Sequence, residues 1–264
     1  GVTEGCGYFQ VTEKNGLRCS TAVGYLNPAK KRKNLKIVTR AHVKNIEFEN
    51  NKAIAVNYWI NKNLIKAKAN TEIILSAGSI GSPHILQASG VGPGNLLKKY
   101  NINIVKEHPF VGKNLHDHLM LRPVYKVKNI YTLNKLYHSY FEQMKAGLNF
   151  FFFRRGPLTM GASQLCGFTK SDESLATPNL QYHVAPMSTD KLGGAALHNF
   201  PAFTPTVTNI RPTSRGHIEL GGADTRIDPK IYMNYLSSEE DKKVAAKSIK
   251  ITRKIVLESK AFKP

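Results

Sequence analysis

The stretch Thr71–Gly92, TEIILSAGSIGSPHILQASGVG, constrains the fold of this chain more than any other. Its apolar run Ile73–Leu75 is typical of a short strand buried on both faces. Ala77-Gly78 then allows a close turn, because Gly78 has no Cβ to obstruct the backbone. The sequence therefore predicts a buried strand that runs directly into a glycine turn.

A helix is predicted to follow this turn. Ser82 has the residue type of an N-cap, and Pro83 suits the first helical position, where its missing N–H costs nothing. Gly90 is expected to end the helix in a left-handed conformation. A strand, a glycine turn and a helix N-terminus in this order can seat a phosphate-bearing cofactor, although most such junctions are only tight turns.

The same residues resemble a known family motif. GSIGSPHILQASGVG at 78–92 is similar to the second signature of the glucose–methanol–choline (GMC) oxidoreductases, which are FAD-dependent alcohol dehydrogenases and oxidases. This resemblance implies that Ala77 and Gly78 contact FAD and that Val43 meets the adenine end of FAD through its backbone. The residue type of Val43 alone is that of an ordinary core strand, and only its place in the motif suggests the cofactor.

The segment before this stretch has a β pattern. Asn15-Gly16 is a strong turn signal, and Tyr25–Pro28 is predicted to be a helical turn that ends at the proline. NG-x-RCSTA-x-x-YLNPA and NL-x-IVT-x-AHV-x-x-I extend the family resemblance through this region. Three strands are predicted, with a turn at Asn50-Asn51 before the last, on these apolar groups: Leu35, Ile37 and Val38; Val43, Ile46 and Phe48; Ile54, Val56, Tyr58 and Ile60.

Residues 111–118, VGKNLHDH, follow a predicted short helix over Asn95–Tyr100 and a predicted short strand over Ile102–Val105. His116 and His118 have a spacing that could place two metal ligands on one side of a strand, but no third ligand cluster is apparent. The segment resembles the family motif VG-x-NL-x-DH. That resemblance implies that its polar groups mainly order a loop.

The character of the sequence changes beyond Leu119. We expect residues 1–118 to be the remainder of an FAD-binding domain and residues 119–264 to be a substrate-binding domain, which enters the family's C-terminal part at about residue 205. The expected fold class is α+β (mixed α/β), in which a partial FAD-binding domain precedes a substrate domain built on an antiparallel sheet with flanking helices.

Helical spacing of apolar residues predicts a helix that begins at Asn134 as its cap and runs to about Phe153. Its aromatic face could line a substrate channel, although core packing is the commoner reason for such a stripe. Strands are expected around Phe168 and over 180–184, 206–210 and 217–220. A last helix should be capped by Ser237 or Ser238, with acids in its first turn: Glu239, Glu240 and Asp241.

RGPLT at 155–159, ATPNLQYH at 176–183 and RPTSRGHI at 211–218 are similar to bacterial choline dehydrogenase-like and alcohol dehydrogenase-like members. The resemblance therefore covers essentially the whole chain. It implies FAD-dependent oxidation of a small-molecule alcohol to an aldehyde or ketone. The electron acceptor, which could be oxygen, a quinone or a carrier, has no sequence signal.

Two parts of the family's machinery are not found in this sequence. The motif G-x-G-x-x-G is absent, since Gly5-x-Gly7 lacks a third glycine and a preceding strand. In the family a histidine takes the hydroxyl proton while hydride passes to the flavin N5. That histidine and its His or Asn partner are expected beyond Pro264, so no catalytic residue is assigned. We expect a fragment that is inactive alone and binds FAD weakly or not at all.

Charge and cysteine content leave two alternatives open. A formal charge of +20 and a pI near 9.9 could indicate a basic module that binds nucleic acid or an anionic surface. The basic residues are scattered, however, and the run Lys30–Lys33 has no interleaved aromatic residues, so a nucleic acid partner is not expected. The other alternative is a structural remnant of a flavoprotein.

Three cysteines, an odd number without C-x-x-C spacing, argue against a disulfide framework and a zinc site, so no metal is expected. The sequence shows neither an initiator Met, nor a signal-peptide pattern, nor an apolar run long enough to span a membrane. A cytoplasmic location is expected, with association with a membrane left open.

Overall fold

The computed structural model describes residues 4–191 and 193–262. Its helices are α1 (Asn27–Ala29), α2 (Gly78–Ala88), α3 (Gly94–Lys99), α4 (Leu133–His138), α5 (Tyr140–Phe153) and α6 (Glu239–Glu258), with a π-helical turn at Ala22–Leu26 and 3₁₀ turns at Pro157–Thr159 and Lys260–Phe262. Its strands are β1 (Gly5–Tyr8), β2 (Glu13–Lys14), β3 (Leu17–Arg18), β4 (Ala41–Glu49), β5 (Lys52–Ile60), β6 (Asn63–Lys68), β7 (Val91–Gly92), β8 (Lys106–Glu107), β9 (Met120–Leu121), β10 (Tyr125–Lys126), β11 (Leu165–Thr169), β12 (Leu180–Ala185), β13 (Ala202–Asn209), β14 (His217–Glu219) and β15 (Lys230–Tyr232).

The chain forms two compact units, each assembled from separated stretches. The meander unit consists of Lys36–Asp117 and Thr213–Ser238, and the sheet unit consists of the remaining described residues. The assignment of residues 1–118 to FAD and of residues 119–264 to substrate stays a prediction.

The sheet unit is built on a six-stranded antiparallel sheet. Strands lie in the order β1-β11-β12-β13-β10, and β9 also pairs with β13. Helix α6 packs on this sheet, and the core between them consists of Leu180, Tyr182, Val207 and Val244. The buried hydroxyl groups of Tyr182 and Thr252 hydrogen-bond at 3.0 Å, so the polar atoms in this core are paired. The expected α+β class is confirmed.

The meander unit contains the antiparallel meander β4-β5-β6, a parallel pair β7-β8 and a hairpin β14-β15. Asn50 and Asn51 have φ of 50° and 63°, the left-handed pair that a two-residue hairpin turn requires, as their sequence predicted. Helix α2 is attached to β4 because the Ser89 hydroxyl accepts the Ile46 N–H at 2.8 Å and donates to the Ile85 carbonyl at 2.6 Å. The hydroxyl therefore connects the helix directly to the strand.

The predicted buried strand over Ile73–Leu75 is wrong. These residues have no strand pairing among the described residues, and the Ile74 side chain is 77% exposed. A strand forms only when a neighbour receives its N–H and C=O groups. The strand predicted on Leu35, Ile37 and Val38 is absent for the same reason.

Helix α2 begins five residues earlier than predicted. Ala77 is its N-cap and Gly78 its first residue, so Ser82 and Pro83 lie inside the helix. The Ser82 hydroxyl instead accepts the Ala77 N–H at 3.1 Å, across the first turn. The end of the helix was predicted correctly, because Gly90 follows with φ of 83°.

The helix predicted from Asn134 to Phe153 is two helices, α4 and α5, separated by Ser139. Thr132, in extended conformation, occupies the N-cap of α4, whereas Asn134 is buried inside the helix. Ser139 is the N-cap of α5, because its side chain accepts the Glu142 N–H. The C-terminal end at Phe153 agrees with the prediction.

Several shorter elements can be compared with their predictions. Asn15-Gly16 turns the chain between β2 and β3, and α3 and α6 lie where helices were expected. The helical turn near Tyr25 continues past Pro28 to Ala29, because proline is tolerated in the first turn of a helix. The short strand expected over Ile102–Val105 forms instead at Lys106–Glu107, where β7 offers a parallel partner. Strands β11, β12, β13 and β14 overlap the predicted ones, although β13 begins at Ala202, four residues before the predicted start. Among the described residues no helix is long and apolar enough to cross a bilayer.

Candidate functional site

The glycine turn at the start of α2 is open on one side. Gly78 has φ of 80°, and a Cβ built on it would meet no atom within 4 Å. The positive φ favours glycine because L residues are strained there. The turn predicted to contact the cofactor therefore has free space beside it.

A cavity of about 270 Å³ lies beside this turn, inside the meander unit. Its walls include Ser79 and Pro83 of α2, Ile218 of β14 and the loop residues Gly112–His116. Ser79, Lys113 and Asn114 contribute a hydroxyl, an ammonium and an amide, which are donors suited to a phosphate oxygen. The cavity therefore has the chemistry of an anion seat at a helix N-terminus.

Gln87 holds the loop of this cavity in place. The side chain is fully buried, and its Nε2 donates to the Val111 carbonyl at 3.1 Å and to the Ile218 carbonyl at 3.0 Å. The N–H of Ile218 in turn donates to the Gly112 carbonyl at 2.7 Å. One amide side chain of α2 thus joins the loop to β14.

The end of the same loop is fixed by Asp117, whose Oδ2 accepts the Tyr235 hydroxyl at 2.6 Å. This bond, followed by burial and by the carboxylate charge, raises the pKa of Tyr235 to about 12, since all three disfavour the phenolate. His116 Nδ1 lies 3.1 Å from the Asn114 carbonyl. These contacts agree with a loop-ordering role, and the described residues contain no group of three or more potential metal ligands.

Val43 lies in β4 opposite Tyr58, half-buried. Its carbonyl accepts the Thr225 hydroxyl at 2.7 Å, and His42 Nε2 lies 2.9 Å from the Thr225 carbonyl. A carbonyl has two lone pairs, so the one on Val43 can accept a second hydrogen bond. Two contacts with Thr225 therefore fix the backbone of β4 at Val43, which the family resemblance places next to the adenine of FAD.

His84 is a buried histidine on α2 with no polar partner for Nε2 among the described residues. Its side chain is 7% exposed, and burial, followed by the charge of His42, lowers its pKa. The imidazole is accordingly neutral at physiological pH. Burial makes His84 a packing residue of α2 rather than a group that reaches a substrate.

The six-stranded sheet has a polar face that sequence reasoning missed. Residues paired across antiparallel strands share a face. By the register of β12 with β13, Gln181 pairs with Thr208, His183 with Thr206 and Ala185 with Thr204. These residues lie on the face opposite the core residues Leu180, Tyr182 and Val207, which pack towards α6. The alternation of Thr204, Thr206 and Thr208 with apolar residues is the signal that could have revealed this face.

His183 is a titratable group of the polar face, on which Cys166 of β11 pairs with it. Its ring stacks on Phe9 with centroids 4.9 Å apart, and burial, followed by the charge of His118, lowers its pKa. The Thr208 hydroxyl is buried without a hydrogen-bond partner among the described residues. The neutral imidazole and the Gln181 amide, both half-buried, can hydrogen-bond with a neutral polar group, whereas Thr204, Thr206 and Thr208 are buried.

Ser188, His198 and Asp190 of the sheet unit are arranged like a catalytic triad. His198 Nδ1 lies 2.9 Å from the Ser188 hydroxyl, and His198 Nε2 lies 3.0 Å from Asp190 Oδ1. Ser188 is 0% exposed, and Asn134 Nδ2 donates both to its carbonyl and to its hydroxyl. A nucleophile must reach its substrate, so this network is structural.

Comparison with known proteins decides the family. Two family models, both described as GMC oxidoreductase, match residues 1–120 and 212–264 as the N-terminal and C-terminal parts. This chain belongs to the GMC oxidoreductase family. The family is FAD-dependent, and the cavity beside Gly78 has donors that suit the phosphates of such a cofactor.

The similar proteins are longer than this chain. It is 40% identical over 248 residues to an oxygen-dependent choline dehydrogenase of Pectobacterium atrosepticum, which covers 93% of this chain and 44% of the relative. It is also 40% identical over 250 residues to the oxygen-dependent choline dehydrogenase of Serratia proteamaculans, and this match covers 93% of this chain and 44% of that relative. The chain thus spans less than half the length of these relatives.

Solved structures share the fold at low identity. A formate oxidase superimposes with a TM-score of 0.87 at 22% identity, covering 98% of this chain and 49% of the oxidase. A fungal aryl-alcohol oxidase has a TM-score of 0.84 at 17% identity, and the match covers 99% of this chain and 51% of the oxidase. These similarities show that the fold is that of the family.

Proposed function

We propose that this chain is part of an FAD-dependent oxidoreductase that oxidises a CH–OH group to an aldehyde or ketone, with choline or a related small alcohol as substrate. The observation that carries the proposal is the 40% identity to oxygen-dependent choline dehydrogenases over 93% of the chain. FAD, when bound, supplies the flavin N5 that accepts hydride from the alcohol carbon.

The meander unit would hold FAD. The Val43 backbone would face the adenine, and Ala77-Gly78 would lie against the cofactor where a Cβ at Gly78 meets no other atom. Ser79 and Lys113 would bind its phosphates from the cavity between α2 and the loop. Thr225 and Gln87 would act by positioning the strand and the loop that carry these groups.

The sheet unit would bind the alcohol through its polar face. Gln181 and His183 are half-buried there and can donate to or accept from a hydroxyl group. No residue of the described chain is assigned as the base that takes the hydroxyl proton. The resemblance to the family assigns this step to a histidine, with a His or Asn partner, that matches no residue of the described chain.

The test is anaerobic reduction of the flavin in the protein expressed from its complete reading frame. We expect choline or a small primary alcohol to reduce the bound flavin, and we expect the isolated 264-residue chain to show no turnover. Flavin that stays oxidised with every alcohol tested would refute the proposed activity. Turnover by the isolated chain would refute the assignment of the base.

One substitution tests the polar face separately. Gln181→Leu should raise KM for the alcohol about 3- to 10-fold, the loss expected for one uncharged hydrogen bond, with flavin content unchanged. Thr169→Val is the control, because Thr169 pairs with Leu180 and so lies on the opposite face. Equal KM values for the two variants would remove the polar face from the binding site.

A further inference from the structure

The polar face of the six-stranded sheet continues beyond β13. Strand β9 pairs with β13 at Leu121 and Val207, and β10 pairs with β13 farther along in the same register. The chain between β9 and β10 therefore passes along β13 without an inserted residue. Arg122, which follows Leu121, accordingly lies opposite Thr206 of β13.

The alternation of side chains places Arg122 on the polar face. Leu121 packs against the core on the side of α6, and adjacent residues of an extended chain lie on opposite faces of a sheet. Thr206, opposite Arg122, also pairs with His183 of β12. Arg122 and His183 therefore flank the buried Thr206 in one row across the sheet.

The guanidinium of Arg122 has unused donors. Arg122 is half-buried, and it forms no hydrogen bond or ion pair within the described residues. Its five N–H donors lie in a fixed fork that matches the two oxygens of a carboxylate. The row thus has an anion-binding group at one end and the imidazole of His183 at the other.

A second cation makes this face positive. Lys126 pairs with Ala202 and so lies on the polar face, where its ammonium is 4.4 Å from the centre of the Phe200 ring. Among the described residues, the paired strand positions of this face hold no carboxylate. The face therefore suits an anionic group better than a quaternary ammonium group, which prefers acids or an aromatic cage.

We propose that the alcohol bound on the polar face carries a carboxylate that Arg122 binds, so that the substrate is a short hydroxy acid rather than choline. This inference rests on the proposed function, because it takes the polar face as the place where the alcohol binds. Gln181 and His183 keep their role at the hydroxyl group. Arg122 is a residue that determines specificity, since a charge-assisted, two-point contact selects the carboxylate.

The spacing of the row indicates the size of this substrate. Neighbouring strands lie about 4.8 Å apart, so the Cα atoms of Arg122 and His183 are about 10 Å apart. A hydrogen bond of about 2.9 Å at each end leaves about 4 Å between the bound hydroxyl and carboxylate oxygens. A hydroxy acid of about four carbon atoms spans this distance.

The redox step is that of the proposed function. The C–H bond of the alcohol carbon gives hydride to the flavin, and the O–H bond gives its proton to the base. The product is the corresponding aldehyde acid or keto acid. The carboxylate itself is unchanged, so Arg122 affects only which alcohol is bound and how it is oriented.

The test uses the flavin-loaded protein expressed from its complete reading frame, with 4-hydroxybutanoate, 1-butanol and choline as alcohols. We expect kcat/KM for anaerobic flavin reduction to be at least about tenfold higher with 4-hydroxybutanoate than with the other two. Equal or better values with choline or 1-butanol would overturn this inference alone. Flavin that stays oxidised with every alcohol would refute the proposed function and this inference with it.

Substitution of Arg122 separates the carboxylate contact from the chemistry. Arg122→Gln should lower kcat/KM for 4-hydroxybutanoate about 10- to 100-fold and leave the value for 1-butanol within about twofold. Arg122→Lys, which keeps the charge without the fork, should recover part of the loss. Arg253→Gln is the matched control and should change neither value, because Arg253 is exposed on α6, on the other side of the sheet.

Binding of butanoate, which has no hydroxyl group to oxidise, gives a readout without turnover. Titration calorimetry should show a Kd at least about tenfold higher in Arg122→Gln than in the wild type or the control. An unchanged Kd would overturn the proposal. A loss of thermal stability in Arg122→Gln, with an equal loss of kcat/KM for all three alcohols, would also overturn it, because Arg122 would then pair with a carboxylate of the protein itself.

Discussion

Replacement of Gln87 by Met should release the loop 111–116 while leaving the fold intact. Met has a volume close to that of Gln, so packing around the buried position is kept and no large cavity forms. What is lost is the pair of hydrogen bonds from Nε2 to the Val111 and Ile218 carbonyls. The substitution therefore isolates the contribution of one amide group to the cavity beside α2.

The size of the effect follows from the burial of the atoms involved. A buried acceptor that loses its hydrogen-bond partner lowers the stability of the closed loop contact by about 1–3 kcal/mol. We expect about 2 kcal/mol for the buried Ile218 carbonyl and about 1 kcal/mol for the part-buried Val111 carbonyl. Gln87 Oε1 is itself buried without a partner among the described residues, so its removal should return about 1 kcal/mol. The net loss is about 2 kcal/mol, or about 30-fold in the opening equilibrium of the loop.

Amide hydrogen exchange measures this equilibrium at the loop itself. The N–H groups of Leu115, Gly216 and Ile218 donate across the contact between the loop and β14, so their exchange should accelerate about 30-fold in Gln87→Met. Gln143→Met is the matched control, because Gln143 is exposed and donates a single bond to the Tyr137 carbonyl. Its effect on these three amides should be negligible.

A second substitution separates the donor from the shape. Gln87→Glu keeps the shape but presents a carboxylate to two carbonyls, which is unfavourable at neutral pH; protonation restores one donor. Burial and the carbonyls raise the pKa of this carboxyl in the folded state, so the variant should regain stability as pH falls. Unchanged exchange in Gln87→Met, or Gln87→Glu indifferent to pH, would refute this account of the loop.

Two further predictions concern glycine turns and acid stability. Gly90→Ala should lower the free energy of unfolding by about 2–5 kcal/mol, because φ is 83° and the new Cβ would lie 2.2 Å from the Asn103 carbonyl oxygen. Gly78→Ala, where φ is 80° but the space around the new Cβ is open, should lower the free energy of unfolding by only about 1–2 kcal/mol, measured by urea unfolding. Equal losses of stability in the two variants would contradict the clash expected at Gly90. Asp224 has a pKa lowered to about 2 by hydrogen bonds from Arg226, so its stabilising contribution is present above about pH 4 and is lost as pH falls towards 2. Asp224→Asn should flatten the stability profile in that window alone, and an unchanged profile would show that the pair contributes nothing.

Features set by neighbouring residues could be predicted from the sequence. Asn50-Asn51 and Asn15-Gly16 turn the chain because they tolerate left-handed conformations, and Gly90 ends α2 for the same reason. Strands β4 and β5 were predicted because alternation of apolar and polar residues is a local signal. Each of these predictions needed only residues that are close together in the chain.

Features that need a partner distant in the chain could not be predicted. Ile73–Leu75 has the composition of a buried strand, yet no described strand pairs with it. Asn134 has a residue type that is common at helix N-caps, yet its side-chain amide donates to the Ser188 and His198 carbonyls, more than fifty residues away. The Thr225 hydroxyl on the Val43 carbonyl and the Gln87 bridge to Ile218 are likewise contacts between remote segments.

The sequence alone determined the family and the segments expected to contact FAD. Short motifs such as those at Ala77-Gly78 and Val43 encode backbone conformations and close approaches, which depend on the identity of a few neighbouring residues. Only the tertiary structure decided that Gln181, His183 and Thr206 share one polar face, because strand register determines which side chains lie together. It also decided that the aromatic residues of α5 face outwards, since burial depends on what packs against a helix and not on its composition.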